Sequence, residues 1–340
     1  MKRSNFLLFA VLLFLGSSLP LITYAFTRSL LTENSTSAVS TVILHSPEPL
    51  PESTSPLNIS DPEPVLLRDT GTNTLLELSR QEYVLGAVAA EMPISWPDEA
   101  LKAQAVAAHS YALYCRDHTS DPEGAWFSVD PARRQGCLTE AVLRSYWGTS
   151  YESNHARLST LVNEVLDEIV CYGDSAAGTS YFAISNGQTE TSQNVWGAAL
   201  PYLISVDSST DQTADNYEFT VTLSPAQVQS MLAENLGLSA DLSAPSQWFG
   251  TAVLTEAGYT ASLPVCGQTI SGTALRRALG LRSSCFFISY QNELFSITTR
   301  GYGHGVGMSQ WGAKALAEQG LTYVQILAHY YPGTILLSAN

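Results

Sequence analysis

Four glycines alternate with larger residues in Gly301-Tyr302-Gly303-His304-Gly305-Val306-Gly307, and the stretch runs on through Met308-Ser309-Gln310-Trp311-Gly312. Glycine at this density weakens any regular helix or strand. It marks left-handed backbone, close backbone approach to a ligand, or a crowded crossing of chain segments. The stretch fits neither register of a dinucleotide-binding G-x-G-x-x-G, because Val306 and Met308 stand where the third glycine belongs. A serine nucleophile elbow would need glycine where Trp311 stands. What remains is a turn-rich segment with one imidazole, His304, in its midst.

The 340 residues are 45% hydrophobic and only 14% charged, enough for one large domain or two subdomains. With 16 Lys+Arg against 31 Asp+Glu the formal net charge is -15, which repels nucleic acid and anionic headgroups and leaves neutral polymers such as glycans open. No nucleic-acid partner is expected. The five cysteines (Cys115, Cys137, Cys171, Cys266, Cys285) form no C-x-x-C pair, so neither a structural metal nor a cofactor is indicated.

Lys2 and Arg3 precede an uncharged run from Phe6 to Phe26. At about 20 residues it can cross a hydrocarbon core as one helix. The positive-inside rule leaves residues 1–4 cytoplasmic, makes residues 5–26 a single-pass anchor in the cell membrane, and places the rest outside the cytoplasm. Thr23-Tyr24-Ala25 loosely resembles a small-x-small cleavage site, so a removed signal peptide is the competing reading. Residues 27–64 are crowded with Ser, Thr, Pro and Glu and read as a flexible tether.

Residues 65–340 form the folded part. Val65 to Leu78 is extended in character; a first helix ends near Met92, before Pro93, and a second runs from about Pro97 to Cys115 with a stripe of small residues. From Trp126 to Val206 short strands are expected, clearest at Ile169 to Tyr172, Ser180 to Ile184 and Tyr202 to Val206. Tyr217 to Leu223 alternates like a strand, Ser224-Pro225 opens a helix to about Leu236, and Thr322-x-x-Gln325 is a capping box for a last helix. Regular strand-helix-strand alternation is absent, so the expectation is an α+β fold with a mixed, mostly antiparallel sheet, and an inserted subdomain at about 215–285.

Glu91 lies in Ala89-Ala90-Glu91-Met92-Pro93, at the negative end of the first helix dipole. Burial against Met92 and Trp96 would add desolvation, and both effects raise a carboxyl pKa as a general acid requires. Spacing alone favours the ordinary alternative, a solvated helix-end glutamate. Lys102 and His109 are two turns apart on one face of the second helix and could point into one groove, although a solvated lysine and a packed histidine are commoner.

Taken together, Leu85-Gly86-Ala87-Val88-Ala89-Ala90-Glu91-Met92-Pro93 and Glu99-Ala100-Leu101-Lys102-Ala103-Gln104-Ala105-Val106-Ala107-Ala108-x-Ser110-Tyr111 resemble the opening signature of the stage II sporulation protein D family. Asn186-Gly187-x-Thr189, Val195-Trp196-Gly197, Pro201-Tyr202-Leu203, Ser271-Gly272-x-x-x-Arg276, Leu279-Gly280-Leu281-Arg282-Ser283 and the glycine-histidine stretch resemble later blocks in the same order. The resemblance implies a lytic transglycosylase that cleaves peptidoglycan glycan strands during forespore engulfment. Its implied partners are a sporulation cell-wall amidase and a membrane protein of the engulfment complex.

The family's essential glutamate falls on Glu91. Lys102 matches a groove position, His304, Ser309 and Gln310 match the late signature, and His109 would line the same groove. Two positions depart from the pattern: the family commonly has Arg at His109 and Lys at Ile204. Losing two cations, and the presence of amidase enhancers among relatives, keep a second reading open, a non-catalytic glycan-binding activator of an amidase. Some relatives bind zinc, but His118 and Cys137 lack enough nearby partners for a site here.

Overall fold

The computed structural model describes residues 63–338. The anchor expected at 5–26 and nearly all of the tether lie outside the described residues. Among the described residues no helix is long and apolar enough to cross a membrane.

The chain opens with an antiparallel hairpin, β1 (Val65–Asp69) and β2 (Thr74–Leu78), and enters α1 (Arg80–Glu91). Ser79 and Glu82 cap that helix reciprocally. The second helix, α2 (Asp98–His118), lies at the centre of the molecule, packed against α1 and against elements that follow much later. Ala100, Ala103, Ala105, Ala107, Ala108 and Ala112 are all buried, and such small side chains let neighbours approach α2 from several sides.

After β3 (Phe127–Val129), which pairs in parallel with β1, the chain forms α3 (Glu140–Trp147) and α4 (Tyr151–Val165). These two helices correct the expectation of mostly short strands from Trp126 to Val206. Leu158, Leu161, Val162 and Val165 recur at helical spacing and are buried together. Next come β4 (Glu168–Tyr172), β5 (Ser175–Ala176), β6 (Tyr181–Phe182) and α5 (Ser192–Trp196). Tyr202 to Val206 is not a strand. Thr189 clamps it instead: its N–H donates to the Val206 carbonyl and its hydroxyl accepts from the Val206 N–H, both at 2.9 Å.

A second hydrophobic core follows, built from β7 (Glu218–Leu223), α6 (Pro225–Leu236), β8 (Val253–Leu254), β9 (Thr260–Val265), β10 (Gln268–Ser271), α7 (Gly272–Ala278), β11 (Phe286–Gln291) and β12 (Leu294–Arg300). Val228, Leu232, Leu263, Leu275, Phe295 and Ile297 are its buried centre. Because β12 is the middle strand between β11 and β7, a division at residue 285 would separate β7 from its pairing partner.

The chain then returns to the first core through β13 (Met308–Ser309), α8 (Gln310–Glu318), α9 (Tyr323–Tyr330) and β14 (Ile335–Ser338). Strand β13 pairs in parallel with β6, and β14 pairs antiparallel with β4. All other named pairs except β1 with β3 are antiparallel, so the architecture is α+β with mostly antiparallel sheets. The five cysteines are free thiols, and among the described residues no group of three or more His, Cys, Asp or Glu could hold a metal ion.

Candidate active site

Helix α1 ends at Glu91 because Met92 leaves helical geometry, with φ -125° and ψ 139°, while its N–H still donates to the Val88 carbonyl. Met92 is buried, and Trp96 stacks edge-on to Trp311 at 5.4 Å. Burial raises the Glu91 pKa, and a hydrogen bond from Gln310 partly opposes the rise. In that bond the Gln310 amide Nε2 donates to Glu91 Oε2 at 2.9 Å. Two residues that are 219 positions apart in the chain thus meet at one carboxylate.

Gln310 is held by what precedes it. Ser309 caps α8, its hydroxyl accepting from the Gly312 N–H and donating to Asp211 Oδ1 at 2.9 Å. Asp211 is fully buried and also accepts from the Ser185 N–H at 2.8 Å and the Ser208 hydroxyl at 3.0 Å. Ser309 is itself buried, so the structure places its hydroxyl in this internal network rather than at a solvent-facing wall.

The glycine stretch passes between the two cores. Its four alternating glycines have φ between 77° and 121°, so the backbone turns left-handed at every second residue. At Gly307 a Cβ would run into the Ser180 carbonyl, so the close approach that glycine permits here is to the chain's own backbone. His304 Nδ1 accepts from the Val306 N–H at 3.1 Å, and the ring lies 5.5 Å from Phe182 and 5.3 Å from Trp196. Burial, with the Arg276 charge adding to it, lowers the His304 pKa to about 4. The imidazole is therefore neutral near pH 7, with its proton on Nε2.

Tyr181 links the two places. Its phenol is pushed up by burial and then by the Glu91 charge, and its backbone carbonyl supports the protonated form of His304. Glu91, Gln310 and His304 thus gather around β6 and the start of α8. Lys102 turns to another neighbourhood: its ammonium sits 2.6 Å from Glu164, 3.4 Å from Glu99 and over the Tyr323 ring. His109 is 2% exposed within α2. Asp211 had no signal in the sequence, since it lies in no periodic segment or recognisable motif; Tyr181 fell within the strand expected at Ser180 to Ile184, but nothing local marked it as a neighbour of Glu91.

A family model described as Stage II sporulation protein matches residues 68–172, which contain Glu91, Lys102 and His109. The chain is 35% identical to stage II sporulation protein D of Bacillus subtilis (strain 168) over 273 residues, covering 80% of this chain and 78% of that protein. The chain belongs to the stage II sporulation protein D family. A second such relative, from Bacillus amyloliquefaciens, is 34% identical with the same coverage. The Bacillus subtilis protein named amidase enhancer is 29% identical, covering 74% of this chain and 40% of its own length. Stage II sporulation protein D relatives therefore align across both cores, well beyond the segment that the family model matches.

Proposed function

We propose that this chain is a peptidoglycan lytic transglycosylase that cleaves glycan strands between N-acetylmuramic acid and N-acetylglucosamine in sporulation, with Glu91 as acid and base. The observation that carries the reading is the raised pKa of Glu91, a partly buried carboxyl fixed by one amide. Gln310 occupies Oε2, which leaves Oε1 to carry the proton. That proton passes to the glycosidic oxygen as the C1–O bond breaks and positive charge develops at C1. The resulting carboxylate then takes the proton of the muramyl 6-hydroxyl while O6 bonds to C1. A 1,6-anhydro ring forms, Glu91 is protonated again, and no water is consumed.

This chemistry needs one carboxyl where water-using glycosidases need two. The buried Asp211 is committed to three donors, which suits a supporting role better than water activation. In this reading residues 5–26 anchor the chain in the cell membrane, the folded part works outside the cytoplasm, and a cell-wall amidase acts beside it during forespore engulfment. A second reading, a glycan-binding activator of that amidase, is favoured by two observations. Lys102 is engaged by Glu164 and Glu99, and Ile204, where the family pattern has lysine, is an exposed apolar side chain.

Mass spectrometry of glycan strands, with and without stem peptides, separates the readings. The parent chain should generate new 1,6-anhydro ends and Glu91→Gln should generate none. Ordinary reducing ends would mean hydrolysis and sink the single-carboxyl mechanism. Absence of any product, together with amidase stimulation that survives Glu91→Gln, would establish the activator.

A further inference from the structure

A cleft of about 320 Å³ opens where α1, α3 and α4 meet. It lies at the other end of α1 from the candidate active site: Glu82, on its rim, is about 13 Å before Glu91 along the helix. Its floor is apolar, with Leu85, Leu138 and Leu143 buried there. Leu138 can approach the helix because residue 86 is glycine. The Leu138 N–H donates to the Gly86 carbonyl at 3.0 Å, and a Cβ on Gly86 would strike the Leu138 carbonyl. The Leu85-Gly86 step of the opening signature thus builds this floor.

The rim sets three carboxylates, Glu82, Glu140 and Glu152, against one guanidinium, Arg144. Arg144 sits 2.7 Å from Glu140 Oε1 and 3.3 Å from Glu152 Oε1, while Glu82 spends Oε2 on the cap of α1. Among the described residues the second oxygen of each carboxylate has no hydrogen-bond partner. The hydrogen bond from Arg144 lowers the Glu140 pKa, which keeps that group charged at neutral pH. His155 also lines the cleft, with its Nδ1 3.4 Å from the Ser159 hydroxyl.

We infer that this cleft receives a lysine side chain presented by a partner polypeptide. The apolar floor covers a methylene stem, and the unmatched carboxylate oxygens accept from an ammonium, which has three donors and no acceptor. Arginine is the poorer match, because Tyr151, the aromatic face that would stack a guanidinium, already carries Arg144 at 4.1 Å. The volume is near the lower bound for ligand pockets, roughly 300 Å³, which is room for one side chain. A formal net charge of -15 draws a basic partner toward the molecule, and the cleft fixes where it docks. The inference stands apart from the glycan reading, since no residue of the cleft belongs to the candidate active site.

The test titrates the full chain with two probes, Nα-acetyl-lysine methylamide and Nα-acetyl-norleucine methylamide, which keeps the four-carbon chain and lacks the ammonium. Methyl NMR should show both probes shifting Leu85, Leu138 and Leu143, with the lysine probe binding about tenfold tighter, as a charge-assisted hydrogen bond implies. Glu140→Gln with Glu152→Gln should erase that preference and leave the norleucine affinity unchanged; both side chains are exposed, so the fold should survive. Glu234→Gln with Glu256→Gln removes the same charge from exposed positions in the second half of the chain and should leave the preference intact. Equal affinities for the two probes, no shift at the three leucines, or a preference that survives Glu140→Gln with Glu152→Gln would each overturn the inference. A preference lost equally in the Glu234→Gln, Glu256→Gln chain would also overturn it, by reducing the effect to the field of the whole molecule.

Discussion

At Glu91 the raised pKa is also a statement about stability. Burial favours the protonated carboxyl in the folded chain, so the native state holds this proton more tightly than the unfolded state does. Below the unfolded value of about 4.3 both states are protonated and nothing is lost. As pH rises from there to the raised native value, the unfolded chain gives up the proton first, and stability falls. Glu91→Gln removes this penalty along with the catalytic proton. Its melting temperature should match the parent's near pH 4, exceed it increasingly as pH rises, and level off once the native carboxyl has ionised. A difference that stays flat from pH 4 to 8 would show that Glu91 is not desolvated.

At the scale of the element, the glycine stretch and the parallel pairing of β6 with β13 act as one unit. The Met308 N–H donates to the Ser180 carbonyl at 3.1 Å, and that carbonyl is what a Cβ at Gly307 would strike. Gly197 has the same φ of 80° but nothing within 4 Å of its Cβ position. Gly197→Ala should therefore cost only the left-handed backbone, about 1 kcal/mol. Gly307→Ala adds the collision and should cost about 2–4 kcal/mol. Chemical denaturation of the two variants checks the difference. Equal losses would mean that β13 shifts freely, and Gln310 would then lack a fixed approach to Glu91.

Across the whole molecule, two cores share the site, since the second core is inserted between β6 and β13 and the chain leaves it directly into the glycine stretch. Leu232→Ala, at a position 0% exposed, should destabilise by about 2–5 kcal/mol. Because Leu232 belongs to the second core, hydrogen exchange should quicken most between Glu218 and Arg300 and least in α2. Uniform loss of protection in both cores would show a single cooperative unit, in which the second core could not loosen by itself.

The local elements with their own chemistry were legible in the sequence: α1 and α2 from periodicity and punctuation by Pro93 and Pro97, α6 from Ser224-Pro225 at its start, α9 from its capping box, and Glu91 at a helix end. Such features depend on neighbours within four or five positions. Helices α3 and α4 were missed although Leu158, Leu161, Val162 and Val165 carry a helical pattern, because glycine and asparagine around them suggested turns. The tertiary structure alone decided which distant residues meet. Gln310 finds Glu91 across 219 positions, and Ser309 finds Asp211 across 98. It likewise turned Lys102 toward Glu164. Desolvation and long-range hydrogen bonding arise only when separated segments exclude water from one another, and no local pattern encodes which segments those will be.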